Sequence, residues 1–472
     1  MRDGLKKESI TNIINKKMKT RIPILLAALF VSFNISFAQQ DEECMNNLSI
    51  FDSYYKSKKY DEAYGPWKIV REKCPKFNRA IYAYGDNILE HKIENSTGAE
   101  QVAHIKDLMK LYDQSHQYFP SKYSLGKMLD EKAQLAYKYR KELNINDQQV
   151  YDMFDEAFTK DKENFDSAKG LYTYFSLAVD LYDAGAKTPD DAQKMFNKYD
   201  EIMEVIEPIE KGYIEDLNKL VEKEEAGTEL NKKEAKNKRV YESNLNAFDT
   251  VKSSMDKKVG DRANCEVLIP LYQKDYEEFK NDAVWLQRAM DRMYVKGCKD
   301  DPLFLKLVKQ KNSVEPSGNT AFYLYSLTGE QKYFDQVIQL EKDPIKKARL
   351  YKKLAGELKD KGQYSRARQY YMEAVKLNPS DGSPYLYIAN MYAKSANSCG
   401  DDNFSKRAVF WLAAQEAQKA GRVDGRLKST AAKTAASYNA SAPSTADIFT
   451  KGNKGKTIRI GCWIQRSVKV PG

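Results

Sequence analysis

Residues 351–379 read YKKLAGELKDKGQYSRARQYYMEAVKLNP. In the first half Tyr351, Leu354, Ala355 and Leu358 recur three and four residues apart, the spacing of one face of an α-helix. The second half repeats the theme with Ala367, Tyr371 and Ala374, and Pro379 ends it because proline cannot continue a helix. The small residues Ala355 and Ala367 let two helices approach closely, while Tyr351, Leu354 and Tyr371 fill the space beside them. The stretch therefore reads as two antiparallel helices. A single helical hairpin cannot bury its apolar face, so it needs stacked copies.

Copies are present. Tyr385, Ile388, Ala389 and Tyr392 restart the pattern 34 residues after Tyr351, and Ala408 and Leu412 complete it after an insertion of about seven residues around Cys399. Near the N-terminus Ile50, Phe51 and Tyr54, then Ala63 and Trp67, then Pro75, make a third copy. These three stretches resemble tetratricopeptide repeats (TPR). Ala or Phe stands where the family usually has Gly in its first helix, and Tyr or Asn replaces its Trp. The resemblance implies an all-α, superhelical solenoid of helical hairpins whose first helices line an inner groove that binds protein. On that basis Tyr351, Tyr385 and Tyr392 are candidate protein-binding groove residues.

The rest of the chain is helical in pattern. Residues 77–185 carry apolar positions at three and four, as in Leu171, Tyr174, Leu177 and Leu181. From 188, Thr188-Pro189-Asp190-Asp191 is a strong helix start, and two stripes follow: Ile202 through Val221, and Val240 through Met255. They predict a long antiparallel hairpin, with Pro208 kinking or splitting its first arm. The residues between the stripes, 222–239, are mostly charged, so the tip is expected to leave the body. At the C-terminus Ile458, Ile460, Cys462 and Ile464 alternate with polar or small residues, the period of a β-strand, and 467–470 can pair with it. This small β cap would cover the last repeat. The expected organisation is a signal peptide at 1–38, N-terminal TPR-like hairpins at 39–187, a charged hairpin at 188–260, C-terminal repeats at 261–425 and a basic tail with a terminal β segment at 426–472.

Location follows from the N-terminus. Met18-Lys19-Thr20-Arg21, the apolar run 22–33 and Ser36-Phe37-Ala38 have the layout of a secretory signal peptide cut after Ala38. The run is too short to span a bilayer, and no second stretch reaches membrane-spanning length. Export to the periplasm or beyond permits disulfides. The six cysteines fall in three groups. Cys44 opens one predicted helix and Cys74 closes the next, so the two ends of that hairpin meet; Cys265 and Cys298 bracket another. Cys399 with Cys462 would tie the tail to the loop before the last helix. Gln39-Gln40 and the Lys-, Asn- and Tyr-rich composition resemble exported proteins of Bacteroidetes.

Chemistry is sparse. His91, His104 and His116 are 13 and 12 residues apart, and no HExxH or GxSxG occurs. Gly455-Lys456-Thr457 resembles the end of a phosphate loop, but it lacks the first glycine and precedes a strand. No metal, cofactor or nucleic acid is expected. The total charge of +10 is concentrated at the ends: residues 400–472 hold 13 Lys or Arg against 5 Asp or Glu. The expected function is a non-enzymatic scaffold or adaptor that binds envelope proteins, in outer-membrane assembly, secretion or uptake complexes. The alternative is an envelope structural protein that holds glycan, peptidoglycan or lipid with its basic C-terminal tail.

Overall fold

The computed structural model describes residues 42–472; the expected signal peptide lies outside the described residues. The described chain is almost entirely helical, with one two-stranded sheet near its end. It forms two compact units that divide at Leu177/Ala178, within the helix Ala168–Ala184.

The first unit is a run of hairpins. α1 (42–56) pairs with α2 (Tyr60–Lys73), α3 (Ala80–Glu94) with α4 (Gly98–Tyr118), and α5 (Leu125–Lys138) with α6 (Asp147–Lys160). α7 (Ala168–Ala184) begins after them. The Cys44–Cys74 disulfide joins the two open ends of the α1–α2 hairpin, with Cα atoms 6.4 Å apart. Ala63 and Trp67 from α2 and Phe51 from α1 are fully buried with Ile81, Ile88, Leu108 and Leu111. Here the repeat pattern becomes packing: the small residue admits the neighbouring helix and the large rings fill the gap.

Trp67 shows how little slack remains. Its indole Nε1 donates to the Ile81 carbonyl at 2.6 Å, and its ring lies over Gly85 of α3. A Cβ at Gly85 would sit 2.6 Å from that ring. Alanine normally favours a helix over glycine by about 1 kcal/mol. The clash outweighs this, because the ring is fixed by its hydrogen bond and fully buried. Gly85→Ala is therefore expected to destabilise the first unit by about 1–3 kcal/mol, read as a lower midpoint in urea denaturation.

The second unit opens with the long hairpin. α8 (Pro189–Glu225) begins in a capping box between Thr188 and Asp191 and runs without a break through Pro208. Of the two expected outcomes at Pro208, a kink or a split, the split does not occur. Pro208 stands on the exposed side of the helix, where a carbonyl that loses its N–H partner is met by water. α9 (Lys232–Val259) returns along α8, held by Lys223–Glu234 and Lys238–Glu224 ion pairs and a Tyr213–Tyr241 ring contact at 5.9 Å. α10 (Cys265–Phe279) and α11 (Ala283–Val295) follow, bracketed by the Cys265–Cys298 disulfide with Cα atoms 5.5 Å apart. Then come α12 (Pro302–Val314), α13 (Gly318–Thr328), α14 (Gln331–Leu340) and α15 (Pro344–Asp360).

The stretch that decided the fold is the hairpin of α15 and α16 (Tyr364–Leu377). Leu354, Ala355, Leu358 and Ala367 have no exposed surface, and Tyr371 and Ala374 are 2 % exposed. The next copy is α17 (Ser383–Ser395) with α18 (Asn403–Val423). α19 (Lys428–Ser441) packs along α18, and α20 (Thr445–Lys451) follows the break at Pro443.

The chain ends in an antiparallel pair, β1 (Thr457–Ile460) and β2 (Arg466–Lys469), with Ile458 opposite Val468. Ile464 lies in the connecting turn, not in the strand the alternation predicted, yet it is fully buried like Ile460. The Cys399–Cys462 disulfide anchors that turn. Trp463 is set among Tyr364 of α16 and Tyr392 of α17, and its Nε1 donates to Ser395 Oγ at 2.9 Å. Arg368 donates to the Ile464 carbonyl at 2.6 Å, and Arg466 pairs with Glu416 of α18. The β hairpin thus covers the flanks of α16, α17 and α18. α19 also packs against α18, the last helix of the final repeat, beside the β hairpin.

Candidate protein-binding groove

The three tyrosines proposed from the repeat pattern have different surroundings. Tyr351 on α15 is half-buried, with its ring 5.7 Å from Tyr370. Tyr385 on α17 is 4 % exposed and belongs to an apolar cluster with Leu217 and Val221 of α8, Leu245 of α9, and Ala420 and Val423 of α18. Tyr392 is fully buried against Trp463. Tyr385 and Tyr392 are therefore core residues, a correction to their placement in an open groove. The cause is that the chain covers this face itself, with the α8–α9 hairpin at one end and the β hairpin at the other.

The tip of the long hairpin is likewise docked instead of leaving the body. Glu225 pairs with Arg422 at 3.2 Å and Lys419 at 3.6 Å. The Gly425 N–H donates to Glu242 at 3.2 Å, and Arg426 pairs with Asp249 at 2.9 Å. Part of the charge run 222–239 serves that placement: Lys223, Glu224, Glu234 and Lys238 pair within the hairpin, and Glu225 pairs across to α18.

In the first unit the corresponding face carries a different set of groups. α1, α3 and α5 are the first helices of their hairpins. On them Tyr55 and Tyr84 stack with ring centroids 3.9 Å apart and planes 6° from parallel. Asn87 donates to the Tyr55 hydroxyl at 3.1 Å. Two residues after Tyr84, Asp86 accepts from the Tyr112 hydroxyl at 2.7 Å, and Glu90 and, from α5, Glu131 lie close enough to share its field. Tyr84, Asp86, Glu90 and Glu131 are half-buried, and Asn87 and Lys127 are exposed.

These carboxyls resist ionisation. Burial pushes Glu131 up to about 7, against the pull of Lys127. Burial raises Asp86 too, opposed by its Tyr112 hydrogen bond. Glu90 is raised by burial first and by the Asp86 charge second. A low-dielectric face that holds several acids near one another gains when a cation approaches, because the penalty on each charge falls. The stacked tyrosines beside them offer flat rings to an aliphatic stem or a guanidinium. Sequence reading missed this face. Carboxylates are frequent throughout the chain, and only burial distinguishes these three.

Among the described residues, no group of three or more His, Cys, Asp or Glu could hold a metal ion. No described helix is long and apolar enough to cross a membrane. All six cysteines are paired: Cys44–Cys74 and Cys265–Cys298 across hairpins, and the remaining pair, Cys399–Cys462, between the tail and the loop before α18.

No protein-family model and no curated protein matches the chain. Solved structures do. A tetratricopeptide repeat protein from Parabacteroides merdae is 12 % identical with a TM-score of 0.25, over 71 % of this chain and 93 % of that one. Yeast Tom70 is 12 % identical, TM-score 0.25, over 87 % and 83 %. Human IFIT1 is 10 % identical, TM-score 0.27, over 85 % and 93 %. At such identities and scores they bear on no residue, ligand or partner of this chain. The packed hairpins of α15–α18 are what tie it to the TPR-like helical-repeat class.

Proposed function

We propose that this chain is a non-enzymatic scaffold of the cell envelope, periplasmic or secreted, that captures a basic segment of a partner protein on the first-helix face of residues 42–177. Outer-membrane assembly, secretion and uptake complexes are the settings in which such an adaptor would serve. The observation that carries the reading is the cluster of half-buried carboxyls Asp86, Glu90 and Glu131 beside the Tyr55–Tyr84 stack. The face of α17 is covered by the chain's own hairpins, which favours the first unit as the binding surface. Three disulfides support an oxidising compartment.

The test is a pair of neutral variants, Glu90→Gln and Glu131→Gln, combined. Each keeps the side-chain shape and removes a disfavoured charge, so the melting temperature should stay level or rise. Capture of partner proteins from a mild-detergent envelope extract should weaken roughly tenfold, the equivalent of about 1.4 kcal/mol. Capture at wild-type strength by the stable double variant defeats the groove assignment.

A further inference from the structure

In the second unit a cleft of about 510 Å³ opens among α8, α11, α13 and α15. It lies outside the groove described above. Its walls carry Glu204, Glu207, Arg288, Asp291, Arg349 and Lys353. Most of the cations around it are matched within the wall. Arg288 pairs with Glu204 at 2.7 Å, Arg349 with Glu207 at 3.1 Å, and Lys311 with Glu315 at 2.6 Å.

Lys353 is the exception. Its ammonium stands over three rings, Phe322 and Tyr323 at 5.2 Å and Tyr294 at 5.9 Å. Its one side-chain hydrogen bond among the described residues goes to Asn319 Oδ1 at 3.2 Å, a neutral acceptor. Among the described residues it forms no ion pair. The carboxylate in its neighbourhood, Asp291, is already engaged: Oδ1 accepts from Tyr323 and Asn319, and Oδ2 accepts from Gln287. Burial lowers the amine's proton affinity, the Asp291 charge nearby partly restores it, and the charge of Arg349 lowers it again.

An ammonium withdrawn from water without a direct ion pair is costly, and ring faces and a carboxylate held at a distance return only part of that cost. An anion entering the cleft would supply the missing partner. Arg349 stands one helical turn before Lys353 on α15, so the two donors share a face and would bracket one carboxylate group. Glu204 and Glu207 line the same cleft and would oppose a doubly charged group such as phosphate. The volume suits a small molecule, and the rings behind Lys353 suit a planar apolar body.

We propose that this cleft is a binding site for a small organic carboxylate, anchored by the Lys353 ammonium with Arg349 as second donor.

The test uses benzoate as probe on the full mature protein. Lysine reactivity toward a limiting acetylating reagent is mapped by mass spectrometry with and without benzoate. Protection of Lys353 by about fivefold or more, with other lysines unchanged, is the expected result; equal labelling overturns the proposal. Calorimetric titration then compares wild type with Lys353→Met and, as control, Lys346→Met. Binding weakened by about tenfold or more in Lys353→Met alone agrees with the site. Undiminished binding to a folded Lys353→Met, or protection by inorganic phosphate in place of benzoate, overturns it. If Lys353→Met does not fold, the labelling of the wild-type protein still decides.

Discussion

Replacing Tyr385 by Ala lowers the stability of the second unit by about 3–5 kcal/mol, because a buried aromatic ring is removed and a cavity remains. Tyr385 is 4 % exposed and its neighbours come from three directions. Leu217 and Val221 approach from α8, Leu245 from α9, and Ala420 and Val423 from α18. Those helices are themselves clamped by the Glu225, Glu242 and Asp249 contacts, so they cannot collapse freely into the space. Lys419, whose Nζ lies 4.8 Å from the ring centre, also loses a partner. Tyr351→Ala removes a ring that is only half-buried and should cost about half as much. Urea denaturation followed by circular dichroism, with disulfides intact, measures both. Partner capture by Tyr385→Ala, assayed while the variant remains folded, should match wild type. A variant of full stability that loses capture would return Tyr385 to an open groove.

That contrast marks how far sequence reading reaches. The pattern at Tyr351, Leu354, Ala355, Ala367 and Tyr371 states that two helices pack closely, and they do. The cysteine pairs were legible for the same reason: in an antiparallel hairpin the first residue of one helix and the last of the next are neighbours, which is where Cys44–Cys74 and Cys265–Cys298 lie. The stripe of Leu217, Val221 and Leu245 states that those side chains are buried. It does not state against what, since hydrophobic burial is non-directional and any apolar face would serve. The hairpin therefore read as an arm leaving the body when it is a filler of the chain's own repeat face. Whether Pro208 would split the helix was illegible for a related reason. A proline rule concerns the lost hydrogen bond, and its cost depends on whether water can replace the partner, which is set by tertiary placement. The terminal hairpin was legible in its period of two, but Trp463, which locks it, carried no signal beyond its size. The candidate groove was the least legible of all, because a half-buried carboxylate has the same letter as an exposed one.

Asp130 is where that blindness has the largest energetic consequence. It lies on α5, 2 % exposed, with Oδ2 accepting from Gln134 at 2.7 Å and Oδ1 without a hydrogen-bond partner among the described residues. Gly170 of α7 makes room for it: a Cβ there would sit 2.0 Å from Oδ1. Burial pushes the Asp130 carboxyl up to about 7, from 3.8. The folded first unit therefore holds this proton after the unfolded chain has released it. The stabilisation from proton binding is complete below about pH 4, shrinks steadily as pH rises, and is gone above about pH 7. Roughly three pH units correspond to about 4 kcal/mol between those limits for this one group. Glu131 acts in the same sense, raised to about 7 by its own burial. Asp130→Asn keeps an acceptor for Gln134 and removes the charge. Its unfolding free energy should lose most of that downward slope, so the variant gains on wild type by about 3 kcal/mol near pH 8 and little near pH 4. Urea midpoints at the two ends of the range measure it. Parallel profiles for the two proteins would mean that Asp130 is ionised in the fold at no penalty and that water reaches Oδ1. A converging pair, with the gap closing as pH falls, is the expected outcome. It would show that the fold keeps a protonatable carboxyl inside its first unit.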